Sequence, residues 1–189
     1  MTSPQVFRVA VLGGGSFGTV LANLAAENGH TTTLWLRDEA QLEDMQSSRE
    51  NSRYLPGFRL SDSLLFSHDL GAAIESADVI FVSIPSKAFR TVMNAAKPFL
   101  RPEQILVSTT KGIEKESFAL MSEILREESG LKKIGVLSGP NLAKEIAARM
   151  VSGTVIASTQ PDVRERVHQV LSSRYFRVFA NSDVYGVEL

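Results

Sequence analysis

The chain of 189 residues contains no cysteine. That excludes disulfide bonds, thiolate zinc sites and a cysteine nucleophile, and it fits a reducing compartment, with the cytoplasm as the expected location. Charge of one sign is lacking too: 20 Lys and Arg stand against 21 Asp and Glu. The half before residue 96 leans slightly acidic and the half after it slightly basic, far from the basic stripe that nucleic acid requires. No run approaches the roughly 18 consecutive apolar residues of a membrane-spanning helix, and Met1–Gln5 has neither the basic nor the apolar region of a secretory signal. Internal repeats and low-complexity linkers are missing as well. The three histidines, His30, His68 and His168, lie in unrelated segments without metal-ligand spacing, so they read as surface residues and no metal site is expected. What is present, 43% hydrophobic and 22% charged residues, is the composition of an ordinary globular protein. A chain of this length buries on the order of 70% of its unfolded surface in one core. A small-molecule partner is the expectation.

Short apolar, β-branched runs alternate with amphipathic stretches along the whole chain. Strands are expected over 6–12, 31–36, 64–67, 78–84, 104–108, 133–137, 153–157 and 176–179, and helices over 18–28, 39–47, 87–96, 117–128, 142–149 and 161–172. Arg8-Val9-Ala10-Val11-Leu12 and Val79-Ile80-Phe81-Val82 are continuously apolar after the first residue rather than alternating, as parallel strands covered on both faces should be. The pattern predicts an α/β fold with a doubly wound, mostly parallel, Rossmann-like sheet. Residues 48–63, with Asn51, Pro56 and Gly57 as breakers, read as the one long irregular stretch, either functional or disordered. Asp183 reads as the N-cap of a helix from Val184 that Leu189 leaves short. The expected organisation is therefore a dinucleotide-binding domain over 1–182, with 183–189 as the start of a further helix.

Gly13-Gly14-Gly15-Ser16-Phe17-Gly18 follows the first strand directly and opens the first helix, matching G-x-G-x-x-G in its strand–turn–helix context. Gly13 would permit the tight turn, Gly15 the approach of a pyrophosphate, and Gly18 close packing of helix on strand. Thr19-Val20 stands where a Walker A loop needs Lys-Ser/Thr, which argues against a nucleoside triphosphatase. Arg37 ends the second strand, where an NADP-binding fold places an Arg on the 2′-phosphate and an NAD-binding fold an acid on the ribose. That favours NADP, although Asp38 could serve a ribose if the strand end is shifted. Ser108-Thr109-Thr110-Lys111-Gly112 follows another strand at the ligand edge, where Lys111 could bind a phosphate or a carbonyl oxygen. Ser108 to Lys111 is also formally S-x-x-K, but its S-D-N and K-T-G partners are missing. Ser138-Gly139-Pro140-Asn141 repeats the theme, with Asn141 either capping a helix or touching a ligand.

Taken together, these segments resemble the bacterial-type NAD(P)-dependent glycerol-3-phosphate dehydrogenases. The resemblance runs through Val11-Leu12-Gly13-Gly14-Gly15-Ser16-Phe17-Gly18-Thr19, Leu34-Trp35-Leu36-Arg37, Asn51, Tyr54-Leu55-Pro56, Lys111-Gly112-Ile113-Glu114, Leu137-Ser138-Gly139-Pro140-Asn141 and Asp183-Val184-Tyr185-Gly186-Val187-Glu188-Leu189. It implies that Ser16, Phe17, Arg37 and Tyr54 touch the dinucleotide and that Lys111 lies between cofactor and substrate. It further implies that Gly139 and Asn141 border a phosphorylated substrate and that Ala143 returns to the cofactor. Asn141 stands where the family commonly has Ser or Thr. In the family a catalytic lysine follows the Val-Glu-Leu segment and opens an all-helical substrate domain, so the resemblance assigns no catalytic proton-transfer residue to positions 1–189. The implied reaction is hydride transfer between NAD(P)H and dihydroxyacetone phosphate or glycerol 3-phosphate, feeding phospholipid synthesis. A homodimer is left open for the full-length protein.

Overall fold

The structure, a computed structural model, describes residues 5–189. Eight strands form one sheet: β1 (Arg8–Leu12), β2 (Thr31–Trp35), β5 (Leu65–Ser67), β6 (Val79–Val82), β7 (Ile105–Ser108), β8 (Ile134–Ser138), β9 (Ser152–Ala157) and β10 (Phe176–Asn181). Their order is β10-β9-β8-β7-β6-β1-β2-β5, and every neighbouring pair is parallel except β8 with β9. Two further strands, β3 (Glu50–Asn51) and β4 (Leu55–Arg59), form a separate antiparallel pair.

Continuous apolarity in the central strands has a direct cause in this layering. Val9 and Val11 of β1, with Val79 and Phe81 of β6, enter the core on one face of the sheet, while Ala10, Leu12, Ile80 and Val82 enter the core on the other. A strand covered twice cannot alternate with polar residues, because each would be buried without a partner. The first face is covered by α1 (Ser16–Glu27) and α7 (Pro161–Leu171), which contribute Leu21, Leu24, Val163 and Val167. The second is covered by α4 (Ser86–Ala96) and α5 (Met121–Ser129), through Phe89, Met93, Ile124 and Leu125. In α4 the buried Phe89, Met93 and Ala96 recur at helical spacing, so one stripe faces the sheet.

Several expectations are corrected. Residues 48–63 are ordered: α2 (Glu39–Ser48) ends at Arg49 with φ 54°, and the β3–β4 pair follows, burying Asn51, Leu55 and Leu60. The pattern concealed it because one strand has two residues and its buried member is polar. Helix α3 (Leu70–Glu75), capped by the Asp69 carboxylate on the Ala72 N–H, is too short for a periodic signal. The helix expected from Ser117 starts at Met121, because Phe118 takes φ 58° and a loop closes first through Ile113 and Leu120. His30 is not a surface residue. It is buried, its Nδ1 accepting the Phe7 N–H at 3.2 Å and its Nε2 facing the Gln169 carbonyl at 3.3 Å. Asp183 does cap α8 (Val184–Glu188), accepting the Gly186 N–H. Among the described residues, no helix is long and apolar enough to cross a membrane.

Candidate functional site

Parallel pairing puts the loops that follow β1, β6, β7 and β8 on one edge of the sheet, with Leu12 opposite Val82, Val82 opposite Ser108, and Ser108 opposite Val136. The chain leaves β1 towards β2 on one side and later returns to β6 on the other, so a crevice opens above their carboxyl ends. A cleft of about 360 Å³ lies there, lined by Gly13–Gly15, Trp35, Arg37, Asp38, Gln41, Arg53, Tyr54 and Ser83–Pro85.

The three fingerprint glycines meet three different demands. Gly13 has φ +120°, and a Cβ on it would stand 2.3 Å from the Ser83 carbonyl oxygen, so the loops after β1 and β6 touch only because it has no side chain. A Cβ on Gly18 would stand 2.1 Å from the Gly13 carbonyl oxygen, which is the close approach of α1 to its strand. A Cβ on Gly15 would meet nothing within 4 Å. Gly15 is the N-cap of α1, where no side chain caps the first turn and no acidic residue occupies it. Its open space therefore adjoins uncapped N–H groups of a 12-residue helix, those of Ser16 and Phe17 among them, where an anion is favoured. Any larger residue at position 15 would reach into that space.

Asn51 holds this turn from outside. The residue is fully buried, and its Nδ2 donates to the Gly14 carbonyl at 3.0 Å and to Thr19 Oγ1 at 2.8 Å, while its Oδ1 accepts the Tyr54 N–H at 3.1 Å. Gln41 Nε2 donates to the same Gly14 carbonyl at 2.7 Å. The glycine turn, the start of α1 and the β3–β4 turn are thus one bonded unit, which sets the half-exposed Tyr54 on the cleft wall. Arg37 is exposed at the end of β2, and Asp38 turns away to cap α2 on Gln41 N and to meet Arg53. Gln41 and Arg53 carry no sequence signal of their own, because their partners lie 10 to 27 positions away.

The second group gathers beyond β7 and β8. Lys111 Nζ donates to the Gly139 carbonyl at 3.2 Å, so the two motifs that follow these neighbouring strands touch. Arg90 on α4 fastens the Lys111 loop: its Nε and Nη2 each reach a Glu114 carboxylate oxygen at 2.8 Å. That fork, with the Ser117 hydroxyl, holds the Glu114 carboxyl down to about 2, and the Glu114, Glu128 and Glu127 carboxylates raise the Arg90 guanidinium in turn. Ser108 is fully buried and accepts the Thr110 N–H, so S-x-x-K here has no exposed hydroxyl to act as a nucleophile. Asn141 is not a helix cap. The N-cap of α6 (Ala143–Ala147) is Leu142, and Asn141 instead donates from Nδ2 to Thr154 Oγ1 at 2.9 Å, leaving its buried Oδ1 without a partner among the described residues. Ala143 is the first residue of α6 and packs against the core on the α1 side.

Residues 8–164 match the family model described as NAD-dependent glycerol-3-phosphate dehydrogenase N-terminus. Among curated proteins, the chain is 54% identical over 182 residues to glycerol-3-phosphate dehydrogenase [NAD(P)+] of Teredinibacter turnerae, covering 96% of this chain and 54% of that protein. It is 52% identical over 181 residues to the enzyme of the same name from Pseudomonas putida, covering 96% and 53%. Among solved structures, glycerol-3-phosphate dehydrogenase from Coxiella burnetii superposes with a TM-score of 0.92 at 34% identity, over 97% of this chain and 56% of that one. The chain therefore spans about half the length of the relatives it matches.

Proposed function

The chain belongs to the NAD-dependent glycerol-3-phosphate dehydrogenase family, through that family's N-terminal domain, and from this premise we propose that it binds NADP in preference to NAD and forms the cofactor half of an oxidoreductase acting on dihydroxyacetone phosphate and glycerol 3-phosphate. The observation that carries the reading is the open space at Gly15 before an uncapped helix, on the same sheet edge as the Lys111–Gly139 contact. In this reading Gly13, Gly15 and Gly18 shape the phosphate turn, and the backbone N–H groups of Ser16 and Phe17 meet the pyrophosphate. Arg37 takes the 2′-phosphate, Tyr54 borders the adenosine, and Ala143 closes on the cofactor from the far side. Gly139 and Asn141, the latter through its unpartnered Oδ1, border the substrate. The nicotinamide, when bound, supplies or accepts the hydride at C2. The Lys111 ammonium stands between cofactor and substrate and stabilises negative charge at the C2 oxygen. No residue of this chain is given the proton, since the family's acid–base lysine follows the segment matched by Val187-Glu188-Leu189. The 189-residue chain is accordingly expected to bind without turnover. The physiological product in this reading is glycerol 3-phosphate for phospholipid synthesis, made in the cytoplasm.

Thermal unfolding of the chain with and without NADPH tests the reading. NADPH should raise the melting temperature of the wild type and leave that of Gly15→Val unchanged, while NADPH with dihydroxyacetone phosphate should show no oxidation above background. Equal stabilisation of both proteins would remove the pyrophosphate from Gly15. Turnover abolished by Lys111→Ala would make Lys111 the acid.

A further inference from the structure

Asp38 is the first acid after β2, where a dinucleotide fold that selects NAD would hold a carboxylate to the ribose 2′-OH. Both of its oxygens are taken. Oδ1 accepts the Gln41 N–H at 3.1 Å and caps α2, and Oδ2 accepts from Arg53 Nη1 at 3.2 Å. Arg53 belongs to the turn between β3 and β4, and its guanidinium also lies over the Tyr54 ring, 5.1 Å from the centroid. Arg37, Asp38, Arg53 and Tyr54 all line the one cleft. Both partners of the Arg53–Asp38 pair are about half exposed, at 61% and 47%, and such a pair adds little to the stability of a fold. Its consequence is for whatever enters the cleft. Two guanidinium groups and one carboxylate line the cleft, and that carboxylate is bonded to the Arg53 guanidinium.

We propose that Arg53 is the specificity-determining residue of this corner: by holding Asp38 Oδ2 it cancels the carboxylate that would accept a ribose hydroxyl and repel a 2′-phosphate, and so makes the corner select NADP. Arg53 acts through Asp38 and is a positioning residue, whereas Arg37 is left to meet the phosphate itself. Without Arg53 the corner would hold one guanidinium and one freed carboxylate, which suits NAD as well as NADP. This inference rests on the dinucleotide reading above and deepens it.

Calorimetric titration of NADPH and NADH into the wild type, Arg53→Ala, Asp38→Asn and the double variant tests it. Asn keeps the capping oxygen for α2 while removing the charge. Arg53→Ala should lower the ratio of NADPH to NADH affinity by about tenfold or more, the size of a lost charge-assisted interaction, with NADH binding as tightly as before or tighter. Adding Asp38→Asn should restore most of that ratio, because the charge that Arg53 controlled is then gone. Equal loss of both cofactors in Arg53→Ala, an unchanged ratio, or a double variant no better than Arg53→Ala would each overturn the proposal. A wild type that binds neither cofactor would instead overturn the dinucleotide reading, so the two failures are distinct.

Discussion

The two halves of the ligand edge are built by different means. Around Gly13–Gly18 the site is backbone packed on backbone, locked by the buried Asn51, with gaps at Gly13 and Gly18 too small for a side chain and open space at Gly15. Around Lys111 and Gly139 it is side chain on an exposed loop, held by one bond to a backbone carbonyl and fastened from a distance by the Arg90–Glu114 fork. In the proposed reading a pyrophosphate would meet N–H groups whose positions are set in advance, which suits a first half that is part of the core. The second half presents an exposed ammonium bonded to a backbone carbonyl and an Asn141 oxygen without a partner among the described residues.

That contrast predicts an ordering of mutational effects. Gly13→Ala should be the most damaging, because it forces a side chain into φ +120° and against the Ser83 carbonyl oxygen. Strain and overlap together should cost about 3–5 kcal/mol, read as an early urea midpoint, and a mild effect would show that the loops after β1 and β6 can separate. Asn51→Ala comes next, at about 2–4 kcal/mol, because it strands the buried Thr19 Oγ1 and the part-buried Tyr54 N–H. NADPH affinity should fall along with stability. A loss of stability alone would detach the hairpin from the binding half. Arg37→Ala should leave the unfolding midpoint in place and weaken NADPH by about 1.5–3 kcal/mol with much less effect on NADH, as titration would report. Loss of both cofactors alike would make Arg37 a general contact.

The smallest change is expected on the other half. Glu114→Gln removes a carboxylate whose folded value is about 2 against an ordinary 4.5. A depressed value means that the ionised group stabilises the fold at pH above about 4.5, and that this help disappears as the pH falls towards 2. The melting temperature of the wild type should thus exceed that of Glu114→Gln at pH 6 and converge with it near pH 2. A constant gap across that range would assign the effect to packing instead of charge.

How far the sequence anticipates this architecture depends on how local each cause is. The strand–turn–helix at Gly13–Gly18 is contiguous, and burial on both faces writes itself into β1 and β6 as unbroken apolar runs, so fold class and phosphate turn are both legible. Arg37 and Lys111 reach the same edge because each follows a parallel strand, and that much follows from alternation alone. The contact of Lys111 with Gly139 is not local, since it requires β7 to lie beside β8. The β3–β4 pair was hidden by its brevity, and Asn51 by being polar and buried, a combination that only its partners explain. The Arg53–Asp38 pair joins residues across a turn that the pattern reads as irregular. Asn141 looks like a cap because Asn often is one, but the helix begins one residue too late, and β9, running antiparallel to β8, brings Thr154 to its amide instead.

The clamp at Asn51 also has a meaning in time. The glycine turn is among the first segments of the chain, yet the two side chains that bond its Gly14 carbonyl come 27 and 37 residues later. Closing loops of that length costs entropy before any bond repays it, which makes distant contacts the slow ones in folding. During refolding, competence to bind a dinucleotide should therefore wait until α2 and the hairpin have docked on the turn, whatever the state of the strand and helix that flank it. An early-made turn becomes a late-finished site.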